Sequence, residues 1–215
     1  MAQAAAVNTS KDAFGMSMGK FAMWSFIASD AMGFAGLFAA FVASRASGAV
    51  WLLRDGAWMQ AWPNPVEVLN ISLTALNTFI LICSSVTMVL ALSACRRNDR
   101  SKTLLFLGCT ILCGMFFLGV QAYEYQALFH HGIVPWEDNF CGTFYALTCY
   151  HGFHVLSGVI YLICIFMGTL RGRYNAENSS PIEIVGLFWH FVDLVWILLF
   201  TFVYLFEPLG LPDAW

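Results

Sequence analysis

The sequence is short of charged residues. Of its 215 residues, 11% are charged and 60% are apolar, whereas soluble domains average about 25% charged and 45–50% apolar residues. A soluble fold of this size cannot bury so much apolar surface. The net charge is −3, and the one basic run, at residues 96–102, is too short for a nucleic-acid-binding face. These shortages exclude a soluble domain and a nucleic-acid partner.

The cysteines lack the spacing of metal or dithiol sites. There are seven, an odd number, and no two of them form a C-x-x-C pair. Most lie in apolar runs, which indicates small buried side chains. Lys11, Asp12 and Lys20 precede an apolar run that is too long for a signal-peptide core, and no cleavage pattern follows it. We therefore expect the N-terminal segment to be retained.

Long apolar stretches occupy most of the chain. They cover residues 21–43, 71–93, 103–123, 144–168 and 182–206, and each is long enough for a membrane-spanning helix of about 20 residues. A β-barrel would instead show alternating segments of about ten residues. The sequence predicts an all-α integral membrane protein, a bundle of five transmembrane helices. An N-terminal tail, residues 1–20, and a C-terminal tail, residues 207–215, flank this bundle.

The basic residues predict the orientation of the bundle. Eight of the ten lie in the N-terminal tail and in the loops after the second and fourth helices, while Arg45 and Arg54 follow the first helix. Loops rich in Lys and Arg stay in the cytoplasm, so we predict a cytoplasmic N-terminus and a C-terminus outside. The outer loops carry tryptophans such as Trp51, Trp58 and Trp62, which suit the headgroup region.

Three ionisable residues are predicted near the membrane midplane. At 1.5 Å per residue, Asp30 lies about 13 Å into the first helix, and His190 and Asp193 lie about 12–17 Å into the fifth. His190 and Asp193 are three residues apart and share a helix face. A charge at this depth costs several kcal/mol unless it is paired. We expect Asp30 to be protonated and to face protein, as an interhelical hydrogen-bond donor or as a titrating group near a proton path.

A second polar group is predicted in the outer half of the membrane. It contains Glu124, which ends the third helix, and His151 and His154 on the fourth. Because the third helix runs outward and the fourth runs inward, we predict a direct contact between Glu124 and His151. The histidines have two open roles, namely interhelical hydrogen bonding and proton relay or metal ligation. A haem or copper centre on this chain alone is disfavoured, because His190 lies in the other half of the membrane.

One segment of each helix resembles subunit III of the haem-copper terminal oxidases, the family of cytochrome c oxidase and quinol oxidase. The segments are FAMWSFIASDAMGFAGLFAAF, LNTFILICSSVT, FLGVQAYEYQALF, HGFHVLSGVIYL and WHFVDLVWILLFTFVYL. The resemblance covers residues 21 to about 206 in the family's order. It implies a non-redox core subunit of a bacterial inner-membrane complex that reduces oxygen to water and pumps protons. In that complex the chain would stabilise subunit I and support proton uptake.

The resemblance also implies partners and ligands. The expected partners are subunit I, as the main contact, subunit II and an optional small subunit IV. Cytochrome c is favoured over quinol as the electron donor of the complex. Haems and copper would lie on partner subunits, and this chain would hold no cofactor. Structural phospholipid is the one ligand that the resemblance allows, with Trp24, His154, Arg96 and Arg97 as candidate contacts.

Six residues match motifs of the family. Asp30 stands where the family has a carbodiimide-reactive glutamate, Glu124 is the acid of Q-x-x-E-Y, His151 and His154 form H-G-x-H-V, and His190 and Asp193 belong to W-H-F-x-D. Aspartate at position 30 is one methylene shorter than the family's glutamate. Long members have two further N-terminal helices, so the chain resembles the short bacterial form, in which subunit I can supply the missing pair.

Two other functions compete with this expectation. The first is an accessory subunit of a nitric oxide reductase system, in which the same five-helix pattern occurs without proton pumping. The second is a small transporter, which ranks last. Transporters favour helices interrupted by Gly or Pro, whereas the six prolines of this chain lie at or beyond the predicted helix ends.

Overall fold

The computed structural model describes residues 17–48, 51–54, 57–60, 70–130, 132–136 and 139–205. Lys11, Trp62 and the predicted C-terminal tail lie outside these residues. Within them, the helices are α1 (Met18–Gly48), α2 (Ile71–Arg96), α3 (Arg100–His130), α4 (Asn139–Leu170) and α5 (Ser180–Leu199). A six-residue π-helix, Phe200–Leu205, continues α5. In the described part of the chain, five helical spans are long and apolar enough to cross a membrane, which confirms the prediction of five transmembrane helices.

The helices extend beyond the apolar stretches. α3 continues to His130 rather than ending at 123, and α4 begins at Asn139 rather than at 144. α4 has 32 residues and is therefore about 48 Å long, whereas the hydrocarbon core of a bilayer is about 30 Å thick. The additional turns carry polar and aromatic residues that suit the headgroup region. Their presence changes the depth assigned to side chains on α4.

A two-stranded sheet forms in the chain segment that connects α1 to α2. Strand β1 (Trp51–Arg54) pairs antiparallel with strand β2 (Ala57–Gln60), with Trp51 opposite Gln60 and Arg54 opposite Ala57. The prediction of an all-α membrane bundle is confirmed, and this hairpin lies in a connection outside the bundle helices. Strands of four residues are too short for their alternation to be told from an irregular loop.

The turn between α2 and α3 is closed by local hydrogen bonds. Asn98 adopts a left-handed backbone conformation, with φ of 57°, which asparagine tolerates better than most residues. Its side-chain oxygen accepts a hydrogen bond from the Ala176 amide at 2.8 Å, so this turn is joined to the α4–α5 loop. Asp99 accepts from the Lys102 amide at 3.1 Å. Backbone and side-chain hydrogen bonds from Lys102 lower the pKa of the Asp99 carboxyl.

One end of the bundle carries a cluster of charged side chains, and we call it the charged end. The Lys20 ammonium lies 2.8 Å from Glu183 Oε1, and Arg96 Nη2 lies 3.0 Å from Glu183 Oε2. This arrangement joins the first turn of α1, the last turn of α2 and the first turn of α5. Arg100 donates to the carbonyls of Thr169 and Leu170 at the end of α4, which satisfies groups that a helix end leaves unpaired.

The core is organised around two tryptophans of α5. Trp189 and Trp196 are almost fully buried. Trp189 lies against Gly114 of α3 and Gly158 of α4, and a Cβ at Gly114 would lie 2.7 Å from Trp189 Cη2. The Trp189 indole donates to Ser84 Oγ at 2.9 Å. Glycine at 114 is thus required by close packing, because any side chain would displace the indole.

Candidate functional site

Asp30 faces protein and is paired with residues of α4. Its exposed fraction is 9%, and the Tyr150 hydroxyl donates to Asp30 Oδ1 at 2.9 Å. His154 Nε2 lies 3.1 Å from Oδ1 and 3.1 Å from Oδ2. The prediction that Asp30 faces protein is confirmed. Gly33, one turn further along α1, permits this contact, because a Cβ there would lie 3.1 Å from the Tyr150 hydroxyl oxygen.

The hydrogen bonds around His154 assign one of its ring protons. Nδ1 lies 2.7 Å from the Tyr150 carbonyl oxygen. A carbonyl only accepts, so Nδ1 carries a hydrogen. One further proton placed between Nε2 and Asp30 satisfies both groups, either as a carboxylic acid donating to imidazole or as a carboxylate with imidazolium. In both forms the pair is neutral overall, which avoids the cost of burying a net charge.

This pair joins the two polar groups that the sequence places at different levels. The expectation of a central Asp30 and an outer His154 is wrong. Because α4 begins at Asn139 and has 32 residues, His154 lies near its midpoint. Phe34, one turn after Asp30, shields the pair, with its ring centroid 5.2 Å from that of His154 and 4.8 Å from that of Tyr150.

Glu124 is held by neutral donors at the end of the bundle opposite the charged end. Its exposed fraction is 6%, and Oε1 accepts from Thr74 Oγ1 at 3.0 Å. Oε2 accepts from the Tyr204 hydroxyl at 3.2 Å and from Gln121 Nε2 at 3.4 Å. No Lys, Arg or His among the described residues forms an ion pair with it. The carboxyl therefore links α2, α3 and the π-helix.

The predicted contact between Glu124 and His151 is wrong. His151 is 1% exposed, and neither ring nitrogen has a hydrogen-bond partner among the described residues. Its ring stacks on Trp196, with 4.9 Å between centroids, and meets the Phe117 ring edge-on at 5.8 Å. These aromatic rings surround the imidazole, while hydroxyl and amide donors from other elements occupy the Glu124 oxygens.

His190 and Asp193 contact different surroundings although they are one turn apart. Asp193 is 7% exposed and its Oδ2 accepts from Ser85 Oγ of α2 at 2.6 Å. Asp193 Oδ1 is buried without a partner among the described residues. The His190 ring is half-buried and makes no hydrogen bond to any residue that the structure describes. The shared helix face thus produces no hydrogen-bonded pair.

The candidate lipid contacts differ in accessibility. Trp24 is 51% exposed on α1, and Arg97 is exposed at the end of α2. Arg96 is engaged by Glu183. Both ring nitrogens of His154 are engaged by Tyr150 and Asp30, so that ring has no atom left for a headgroup.

Sequence reasoning missed the neutral partners of the buried acids. These are Tyr150, Thr74, Gln121, Tyr204 and Ser85. Their hydroxyl and amide groups, placed within otherwise apolar helices, could have indicated these partners, because polar side chains in membrane bundles form hydrogen bonds between helices. In the part of the chain that the structure describes, no three His, Cys, Asp or Glu residues are grouped to hold a metal ion.

These features define a polytopic α-helical membrane protein whose buried acids are stabilised by hydrogen bonds from within the bundle. A family model described as cytochrome c oxidase subunit III matches residues 2–207. The chain belongs to the cytochrome c oxidase subunit III family. With its five spans and bacterial relatives, it is a multi-pass protein of the inner membrane.

Several bacterial relatives are similar over most of the chain. A probable cytochrome c oxidase subunit 3 of Rickettsia bellii is 35% identical over 190 residues, which cover 84% of this chain and 66% of the relative. The cytochrome c oxidase subunit 3 of Corynebacterium diphtheriae is 33% identical over 182 residues, 85% of each chain. That of Bacillus sp. PS3 is 30% identical over 187 residues, 87% of this chain and 85% of the relative. The matches span only 66% and 54% of the Rickettsia bellii and Rickettsia conorii proteins.

Proposed function

We propose that this chain is the non-redox subunit III of a respiratory terminal oxidase. The complex reduces oxygen to water and pumps protons, and this chain stabilises subunit I and supports proton uptake. The observation that carries the proposal is the family match over residues 2–207. The names of the relatives, all cytochrome c oxidase subunit 3, favour cytochrome c over quinol as electron donor.

The surface of the bundle supports a role within a larger membrane complex. α1 is the least buried helix and exposes large apolar side chains such as Trp24, Phe26 and Met32. Subunit I is the partner we propose for such faces, with subunit II and a small subunit IV completing the complex. Haems and copper belong to those partners in this proposal, and phospholipid is the ligand of this chain, with Trp24 and Arg97 as its exposed contacts.

Asp30 and His154 are the residues through which we connect the chain to proton uptake. They hold one proton between them near the middle of the bundle without a net charge, by the hydrogen bonds described above. The proton of such a pair can pass between the carboxyl and the imidazole while the pair as a whole stays neutral. The charged end, with Lys20 and Arg96, is the cytoplasmic end in this proposal, as the positive-inside rule favours.

Purification of the native complex through an affinity tag on this chain tests the proposal. We expect haem-containing subunits to co-purify, and oxygen uptake to depend on reduced cytochrome c. Asp30→Ala should retain the haem spectrum but lose activity faster during sustained turnover. Ser29→Ala, which removes an exposed hydroxyl bonded only to the Phe26 carbonyl, is the matched control and should behave as the parent complex.

Three outcomes would contradict the proposal. If the chain purifies without any haem-containing partner, it is not a subunit of a terminal oxidase. Co-purification with an enzyme that consumes nitric oxide and takes up no oxygen would assign the chain to the nitric oxide reductase alternative. Haem absorbance from the isolated chain would contradict the expectation that it holds no cofactor.

A further inference from the structure

The outward face of α5 carries one polar ring among apolar side chains. Leu194, Ile197 and Leu198 are 57%, 40% and 42% exposed, and His190, half-buried, lies one turn before Leu194 on the same face. Next to them, α2 exposes Ile82, Val86 and Val89 at 39%, 57% and 54%. We call this combined surface of His190, Leu194, Ile197, Ile82, Val86 and Val89 the α2–α5 face.

His190 lies well inside the membrane. Glu183 marks the charged end of α5, where Lys20 and Arg96 pair with it, and His190 is seven residues further along the helix. That spacing corresponds to about 10 Å of depth. An imidazole side chain is too short to reach the headgroups from this position, unlike Lys or Arg near a helix end.

The ring has hydrogen-bonding capacity that the chain leaves unused. A neutral imidazole has one N–H donor and one nitrogen acceptor, and neither is bonded to a residue that the structure describes. Lipid chains offer no hydrogen bonds, so the ring is costly to leave against them. Asp193 does not relieve this, because its Oδ2 accepts from Ser85 and its Oδ1 is shielded within the bundle.

His190 differs from the two histidines of α4 in its position. His154 has both nitrogens bonded to Tyr150 and Asp30. His151, whose nitrogens also bond to no described residue, is enclosed by aromatic rings and 1% exposed, whereas His190 is only half-buried. A hydrogen-bonding group from outside the chain is thus expected next to the His190 ring. It must both accept and donate a hydrogen bond, as a hydroxyl or carboxamide does, and it must sit on an otherwise apolar surface that matches Leu194 and Val86.

We propose that the α2–α5 face is the docking surface for a transmembrane helix of another oxidase subunit, which presents a hydroxyl or carboxamide side chain to His190. The proposal rests on the proposed function, since it requires that partner subunits exist. The apolar side chains around His190 supply packing, and the polar contact sets the register of the two helices, because it can form at only one depth.

Photo-cross-linking in native membranes tests this surface. A photoreactive phenylalanine analogue at Leu194 leaves His190 intact and sits one turn away on the same face. Leu112 of α3, 63% exposed and also within a membrane span, is the matched control position. We expect the Leu194 probe to form an adduct with another transmembrane subunit and the Leu112 probe to label lipid.

A pair of His190 variants separates the polar contact from simple packing. His190→Gln keeps one donor and one acceptor, whereas His190→Leu removes both at similar volume. We expect His190→Leu to reduce the yield of the Leu194 adduct by roughly three- to tenfold, in line with the modest strength of hydrogen bonds between membrane helices. His190→Gln should retain most of the yield.

The outcomes distinguish this proposal from the proposed function. If haem-containing subunits co-purify but the Leu194 adduct contains only lipid, or two copies of this chain, the docking proposal fails and the proposed function stands. Equal adducts from Leu194 and Leu112 would also overturn the assignment to this face. If no oxidase subunit co-purifies, both fail together.

Discussion

Breaking the pair of Asp30 and His154 should reveal a coupling energy between α1 and α4. Asp30→Ala leaves the Tyr150 hydroxyl and His154 Nε2 without their shared partner, and His154→Ala leaves Asp30 bonded to Tyr150 alone. A buried polar group without a partner costs about 1–3 kcal/mol, so each single variant should lose that much free energy of unfolding.

The double variant should lose less than the sum of the two single variants, because removing both partners leaves fewer orphaned groups. Hydrogen bonds between membrane helices are worth about 0.6 kcal/mol on average and up to about 1.7 kcal/mol. The Asp30–His154 pair belongs at the upper end, since it shares a proton and is 3.1 Å apart at both oxygens. We expect a coupling energy of about 1–1.7 kcal/mol.

Unfolding of the purified chain in mixed micelles, followed by the fluorescence of its eight tryptophans, measures these energies. Ser29→Ala combined with His154→Ala is the control cycle, because the Ser29 hydroxyl bonds only to its own helix. The control should be additive within about 0.5 kcal/mol. If the Asp30 cycle is equally additive, the pair carries no coupling and the shared-proton reasoning is refuted.

Two further substitutions test the packing and the second buried acid. Gly114→Ala places a methyl group 2.7 Å from both Trp189 Cη2 and Val159 Cγ2, and this overpacking should cost about 1–3 kcal/mol of unfolding free energy. The control Gly119→Ala, on the same helix, meets nothing within 4 Å and should be neutral or stabilising. Equal thermal stability of the two variants in detergent would contradict the close packing. Glu124→Leu removes the acceptor of three donors and should lower the free energy of unfolding by about 2–3 kcal/mol. Glu124→Gln keeps one oxygen acceptor and should lower it by about half as much in the same mixed-micelle assay. Equal losses would show that side-chain volume rather than hydrogen bonding stabilises this site.

The membrane architecture was readable from the sequence because it depends on local composition. Each apolar stretch must form its own helix, since backbone groups in lipid can be satisfied only within the segment or in a closed barrel. The helix ends were less readable. The turns beyond residue 123 on α3 and before residue 144 on α4 are polar enough to look like loops, yet they remain helical in the structure.

The polar contacts depended on rotation and on helix length, which composition does not encode. Asp30 was identifiable as a residue that must face protein, because an unpaired carboxyl in lipid is costly. Its partner was not, since placing His154 opposite it requires the true start of α4 at Asn139. Depth along the bundle alone suggests a contact between Glu124 and His151. The rotation of each helix about its axis instead directs Glu124 to Thr74 and Tyr204.

The sequence by itself determined a five-helix membrane bundle, the short list of its buried ionisable residues and the family resemblance of its motifs. All three follow from the order and polarity of residues along the chain. Only the tertiary structure decided that Asp30 pairs with His154, that Glu124 is held by neutral donors, and that the half-buried His190 bonds to no described residue. Those outcomes depend on how far each helix is turned about its axis, and close packing such as that of Trp189 against Gly114 sets this rotation.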